Sequence, residues 1–87
     1  IASSILLEKV MKMLGEEGFS IEQIDSTICL QAPKIAPSIP LMREHLASVM
    51  GMSLKDISIK ATTKEHLDAV GRGEGIEAYA VVLVYRA

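Results

Sequence analysis

The feature that most constrains how this chain can fold is an apolar run near its end, residues 76–85, in which both alternating faces are apolar. One face of a strand there would carry Ile76, Ala78, Ala80, Val82 and Val84, and the other would carry Tyr79, Val81, Leu83 and Tyr85. The helices of a small domain can cover only one face of a sheet. The run therefore predicts that another subunit, or a segment outside this chain, covers the second face.

Helical and strand periodicities divide the rest of the chain. Pro40 is well placed to begin a helix, because its missing N–H has no helical partner there, and Gly51 is well placed to follow the end of that helix. The first helix should end in the same way around Gly15 to Gly18. The predicted elements, in chain order, are a helix over residues 4–14, a strand over 24–31, a helix over 40–50, and strands over 57–61 and 76–85.

This order of elements predicts an α+β, two-layer fold with a small mixed sheet of at least three strands and helices on one face. With 87 residues, the chain is at the small end of single domains, so we expect one domain, spanning residues 1–87. Its composition is 49% hydrophobic with one Phe and no Trp, so Ile, Leu, Val, Met and Ala must build the core. That apolar content also favours an oligomer.

Charge and cysteine content exclude several classes of partner. The net charge of −2 and the scattered cations give no basic surface for nucleic acid. No apolar run approaches the roughly 20 residues that span a bilayer, so we expect a soluble protein with no membrane partner. Cys29 is the single cysteine and has no disulfide partner in the chain. Neither His45 nor His66 has a second ligand at a recognised zinc spacing.

Three segments could carry chemistry, and each also has a purely structural interpretation. Residues 60–65 place two hydroxyls, two ammonium groups and a carboxylate where a strand enters a short helix over 64–70, which suits a phosphate. The spacing of Thr62 and Glu65 is equally that of a helix capping box. Residues 71–75 form a glycine-rich loop, and residues 31–36 form a proline-containing loop after a strand. Taken alone, both read as ordinary connections.

Taken together, these segments resemble one enzyme family. The chain resembles the 2-C-methyl-D-erythritol 2,4-cyclodiphosphate synthase family in four blocks that occur in the same order and spacing and cover almost the whole sequence. The blocks are residues 27–34 (TICLQAPK), 39–43 (IPLMR), 59–65 (IKATTKE) and 71–76 (GRGEGI). The resemblance implies a C-terminal fragment of the synthase domain, with an N-terminal, zinc-binding part outside this chain.

The resemblance implies a lyase of the non-mevalonate route of isoprene biosynthesis that acts as a homotrimer. Its substrate, 4-diphosphocytidyl-2-C-methyl-D-erythritol 2-phosphate, is linked to cytidine diphosphate and is cyclised with release of CMP. The substrate's own 2-phosphate attacks the β-phosphorus, so the protein positions the substrate and stabilises charge rather than supplying a nucleophile. The family's usual locations are the bacterial cytoplasm and the plastid stroma.

The resemblance also assigns site residues. Thr63 would be catalytic, donating to the oxygen on which charge develops, and Glu65 would hold magnesium or manganese, whereas the zinc ligands are not in this chain. Arg72 would lie near the trimer axis, where an isoprenoid diphosphate is a further ligand, and Ala69 stands where the family often has an aromatic residue. The substrate-binding residues would be Leu30, Gln31, Ala32, Pro33, Lys34, Ile35, Ala36, Ala61, Thr62, Thr63, Lys64, Glu65, Ala69 and Arg72. The alternative is a non-catalytic, oligomerising α/β module that binds a ligand.

Overall fold

The computed structural model describes residues 2–63 and 68–86 and contains all five predicted elements. They are helices α1 (Ser3–Glu16) and α2 (Ile39–Met50) and strands β1 (Phe19–Leu30), β2 (Ile57–Thr62) and β3 (Ile76–Arg86). Two short 3-10 turns, Ala36–Ser38 and Leu54–Asp56, precede α2 and β2 respectively.

The three strands form one mixed sheet in the order β2-β1-β3. β1 pairs with β2 in parallel and with β3 in antiparallel orientation. A parallel pair needs a long crossover, and α2 lies within the segment that connects β1 to β2. The predicted mixed sheet of at least three strands is therefore confirmed.

β1 begins at Phe19, five residues before the strand predicted from periodicity. Residues 19–23 (FSIEQ) do not alternate cleanly, which hides the strand in the sequence. They are extended because they pair with the end of β3, from Phe19 opposite Arg86 to Gln23 opposite Leu83. The register shifts between Ile21 and Gln23, so the irregularity has a tertiary cause: the partner strand sets the conformation.

The predicted helix boundaries near proline and glycine are confirmed. Pro40 is the second residue of α2, where the absent N–H costs no helical hydrogen bond. Gly51 ends α2 in the left-handed conformation with φ 65°, and the N–H of Met52 then donates to the carbonyl of Ala47 at 3.0 Å. Of the short helix predicted over 64–70, residues 64–67 lie outside the described residues, and residues 68–70 form a bend and turn.

The core lies between α2 and one face of the sheet. Its buried centre is Ala47 of α2 with Ile57 and Ile59 of β2, and Ile57 is only 1% exposed. The residues packed around this centre are partly buried and apolar: Ile28, Ile39, Met42, Leu46 and Met52. α1 contacts α2 and β1 but has no buried residue.

Strand β3 is exposed on both faces, whereas the apolar run predicted that helices would cover one of them. The reason is that α1 packs against β1 and α2 packs against β2. Val82 and Val84 are 42% exposed on the face shared with Ile24 and Ile21, and Val81 is 74% exposed on the opposite one. We call the face that carries Val81 the open face. Its other residues include Asp25, Thr27, Lys60, Tyr79 and Leu83. No helix among residues 2–63 and 68–86 is long and apolar enough to cross a membrane.

Candidate functional site

The candidate site lies where β1 and β2 end. Because the two strands are parallel, their carboxyl ends meet at the same edge of the sheet. The ladder between them runs to Cys29 opposite Thr62. β1 ends at Leu30 and is followed by Gln31, and β2 ends at Thr62 and is followed by Thr63, so two segments that are distant in sequence begin side by side.

A cavity of about 280 Å³ opens between these two segments. Its size is near the lower end of small-molecule pockets, which span roughly 300–1,000 Å³. Most of its wall is apolar, with Lys34 supplying a cation and Thr62 and Thr63 supplying hydroxyls. The residues that line it are Leu30, Gln31, Lys34, Ile35, Ala36, Ala61, Thr62 and Thr63. All eight belong to the predicted substrate-binding set.

The first wall of the cavity is the loop between β1 and α2. It contains a cis peptide bond between Ala32 and Pro33, and the N–H of Ser38 donates to the carbonyl of Ile35 at 2.8 Å. Ala32 and Pro33 are exposed and do not line the cavity, although they lie between two residues that do. Lys34 is exposed, so its ammonium group is accessible to an anion in the cavity.

The second wall is the end of β2. The hydroxyl of Thr62 lies 3.5 Å from the carbonyl oxygen of Thr63, which is long for an O–H···O hydrogen bond. A hydroxyl rotates to suit its partner, so Thr62 can turn to donate to a ligand at little cost. Both threonines are exposed at the cavity. Together with Lys34 they give the cavity the chemistry of an anion site.

Besides Ala32 and Pro33, two described residues of the predicted set do not line this cavity. They are Ala69 and Arg72, which lie in the turn before β3. That turn is ordered by Asp68, whose side chain accepts from the N–H of Gly71 at 2.9 Å. The Arg72 guanidinium pairs with the Glu74 carboxylate at 2.7 Å, with both side chains more than half exposed.

Two further residues of the predicted set, Lys64 and Glu65, lie outside the described residues. Within the described ranges, no three His, Cys, Asp or Glu side chains come together as metal ligands. The described residues therefore do not fit a metal ion by themselves. The zinc ligands are expected in another part of the polypeptide, and the assignment of magnesium to Glu65 stays a prediction.

One cross-strand ion pair near the site was not predicted from sequence. The Lys60 ammonium pairs with the Asp25 carboxylate on the open face, across β1 and β2. The two residues are 35 positions apart, and only the register of the parallel ladder brings them together. Opposite charges on the outward positions of two strands are a signal that could have suggested the pair.

A second pair on the open face changes the acidity of a tyrosine. The Tyr79 hydroxyl donates to the Glu77 carboxylate two residues earlier on β3. This hydrogen bond, with the negative charge of Glu77, raises the pKa of Tyr79 above its ordinary value. Tyr79 therefore keeps its proton to higher pH than an ordinary tyrosine does.

Comparison with known proteins gives the same family over nearly the whole chain. The model of the YgbB family matches residues 1–85. The 2-C-methyl-D-erythritol 2,4-cyclodiphosphate synthase of Bacteroides thetaiotaomicron is 51% identical over 84 residues, which is 97% of this chain and 53% of that protein. The chain thus spans about half the length of the curated relatives it matches.

Solved structures agree with the fold. The bifunctional IspDF of Campylobacter jejuni superposes with a TM-score of 0.97 at 29% identity, over 100% of this chain and 24% of that one. The IspF of Plasmodium falciparum in complex with CDP superposes with a TM-score of 0.92 at 25% identity, over 97% of this chain and 54% of that one.

Proposed function

We propose, on the premise that the chain belongs to the YgbB family, that its protein is a 2-C-methyl-D-erythritol 2,4-cyclodiphosphate synthase and that this chain forms the nucleotide side of the active site. The observation that supports the proposal most directly is the cavity at the ends of β1 and β2. Eight residues assigned to substrate binding from sequence line that one cavity, although they come from two separate segments.

The reaction would be an intramolecular phosphoryl transfer. An oxygen of the substrate's 2-phosphate forms a bond to the β-phosphorus while the bond from that phosphorus to the CMP oxygen breaks, and CMP leaves. The enzyme needs no nucleophile of its own, so positioning and charge stabilisation account for the rate. A cavity with an apolar wall, a cation and hydroxyl donors is suited to positioning the nucleotide and stabilising the charge on its phosphates.

We assign roles to individual residues from the family resemblance, and the cavity supports these roles because it brings the two segments together. The apolar and backbone groups from Leu30 to Ala36 would surround the cytosine and ribose, and Lys34 would lie near the nucleotide phosphates. Thr62 and Thr63 would hold the diphosphate, with Thr63 donating to the oxygen on which charge develops. We expect a divalent metal ion as cofactor, an expectation that rests on family membership; such an ion neutralises charge on the phosphates. We expect zinc and magnesium, with ligands among residues outside those described here.

The exposed strand β3 supports an oligomer. Its apolar residues on both faces are uncovered in this chain, and an isolated surface of that kind favours association. We propose a homotrimer, whose axis near Arg72 is the predicted place of an isoprenoid diphosphate. Light scattering on the complete protein checks the trimer, and a stable monomer would contradict it.

Two measurements on the complete protein test the activity. Wild type should release CMP from 4-diphosphocytidyl-2-C-methyl-D-erythritol 2-phosphate in the presence of divalent metal. Calorimetry should show CDP binding that Lys34→Met weakens by roughly tenfold, because one charge-assisted contact to phosphate is lost. Lys55→Met, at an exposed lysine outside the cavity, is the matched control and should bind as wild type. Binding of CDP without turnover would favour the non-catalytic ligand-binding module instead.

A further inference from the structure

The Asp25–Lys60 pair lies before the cavity along both strands. Asp25 is directly opposite Ser58 in the parallel ladder, and Lys60 is two residues further along β2. The next residues in the cavity direction are Ala61 and Thr62 of β2, followed by Thr63. The pair therefore links the two strands one residue before the cavity wall on β2 and five residues before Leu30 on β1.

A second side-chain contact, next to the ion pair, also links β1 to β2. The Ser26 hydroxyl donates to the main-chain carbonyl of Ser58 at 3.0 Å. Because neighbouring residues of a strand point to opposite faces, Ser26 and Asp25 project from opposite sides of β1. The pair on the open face and the serine on the other face thus hold β1 and β2 together from both sides.

β2 is an edge strand of the described sheet. Among the described strands only β1 pairs with β2, so contacts between these two strands set the position of β2 along the sheet. A slip of one residue would turn the inward positions Ile57 and Ile59 outward. The ladder hydrogen bonds with β1 oppose a smaller slide, and the side-chain contacts between the two strands oppose it further. A slide of about 1 Å, a fraction of the roughly 3.3 Å rise per residue, would move both threonines relative to Lys34.

We infer that Asp25 and Lys60 are positioning residues, which hold Thr62 and Thr63 in place against the loop that follows β1. The inference rests on the proposed function, since it concerns the same cavity. Neither residue lines the cavity, so each acts through the strand that carries it. The side chain of Lys60 is 55% exposed and that of Asp25 is 54% exposed, so their pairing contributes little to global stability. Catalysis is more sensitive than stability, because a misplacement of about 1 Å can cost roughly 100-fold in rate.

The test uses charge-removal variants of the complete protein. Lys60→Met keeps the apolar stem and removes the charge. It should lower kcat roughly 10- to 100-fold, with a smaller change in KM. Its melting temperature should fall by no more than about 4 °C. Lys60→Arg restores the cation and should recover most of kcat, and Lys55→Met is the matched control.

A double variant separates the pair from either residue acting alone. Asp25→Asn combined with Lys60→Met should be about as slow as the slower single variant, because both remove one interaction. Additive losses, or wild-type kcat in Lys60→Met, would overturn the inference.

Amide hydrogen exchange of the segment 57–63 gives a readout that does not depend on activity. Exchange there should rise in Lys60→Met and not in Lys55→Met. If wild type releases no CMP, the proposed function fails while exchange still reports on the strand. Unchanged exchange together with unchanged kcat would refute the positioning role alone.

Discussion

Replacing Thr63 by alanine distinguishes a catalytic donor from a structural residue. Thr63 is exposed at the cavity, directly after the last paired residue of β2. The substitution removes one hydroxyl and one methyl group from a position that carries no core packing. The neighbouring Thr62→Ala is the natural comparison, because Thr62 is the residue with the spacing of a helix cap. Thr63→Ser, which keeps the hydroxyl, is the control.

The expected magnitudes differ by enough to separate the two interpretations. Loss of one donor that acts in the transition state typically lowers kcat by roughly 100-fold or more, or about 2.7 kcal/mol. Substitution of an exposed residue outside the core usually changes the free energy of unfolding by no more than about 0.5 kcal/mol. A lost helix cap would instead cost about 1 kcal/mol of stability and leave the turnover of folded enzyme nearly intact.

The assay pairs CMP release under saturating substrate with a thermal melt of the same preparation. Thr63→Ala should turn over roughly 100-fold more slowly than wild type with a melting temperature lowered by about 2 °C at most. Thr63→Ser should retain most of the turnover. Wild-type kcat in Thr63→Ala would refute the catalytic assignment, and a large loss of stability with normal kcat would favour a structural role.

Three further predictions follow from the core, the open face and the metal assignment. Ile57→Ala should destabilise the complete protein by about 2–5 kcal/mol, because it leaves a cavity at a fully buried position. Denaturant unfolding measures this free energy, and a cost below about 1 kcal/mol would contradict the core described here. Glu77→Gln should lower the pKa of Tyr79 toward its ordinary value of about 10, seen as phenolate absorbance in a Tyr85→Phe background. The raised pKa favours the neutral phenol in the folded state. The contact with Glu77 therefore stabilises the fold fully below the ordinary pKa of tyrosine, and this stabilisation is lost at more alkaline pH. An unchanged titration of Tyr79 in Glu77→Gln would refute the contact. Glu65→Gln should raise the magnesium concentration needed for half-maximal activity, because an amide oxygen is a poorer ligand than a carboxylate; an unchanged requirement would remove Glu65 from the metal site.

Elements with local signals can be predicted from the sequence alone. Pro40 and Gly51 mark the ends of α2 because the preferences of proline and glycine arise within one or two residues. Alternation of apolar and polar residues predicts β2, and the apolar run over residues 76–85 predicts β3. The sequence also predicted that one face of β3 would lack cover, but it did not predict that both faces are exposed.

How separate segments meet is visible only in the folded structure. Phe19 to Gln23 are extended because the end of β3 pairs with them, and their own pattern gives no such signal. Leu30, Gln31 and residues 34–36 line one cavity with residues 61–63, because β1 and β2 are parallel and end at the same edge. Asp25 reaches Lys60 for the same reason. Such contacts depend on strand register, which pairing across the sheet sets, and local propensity therefore cannot reveal them.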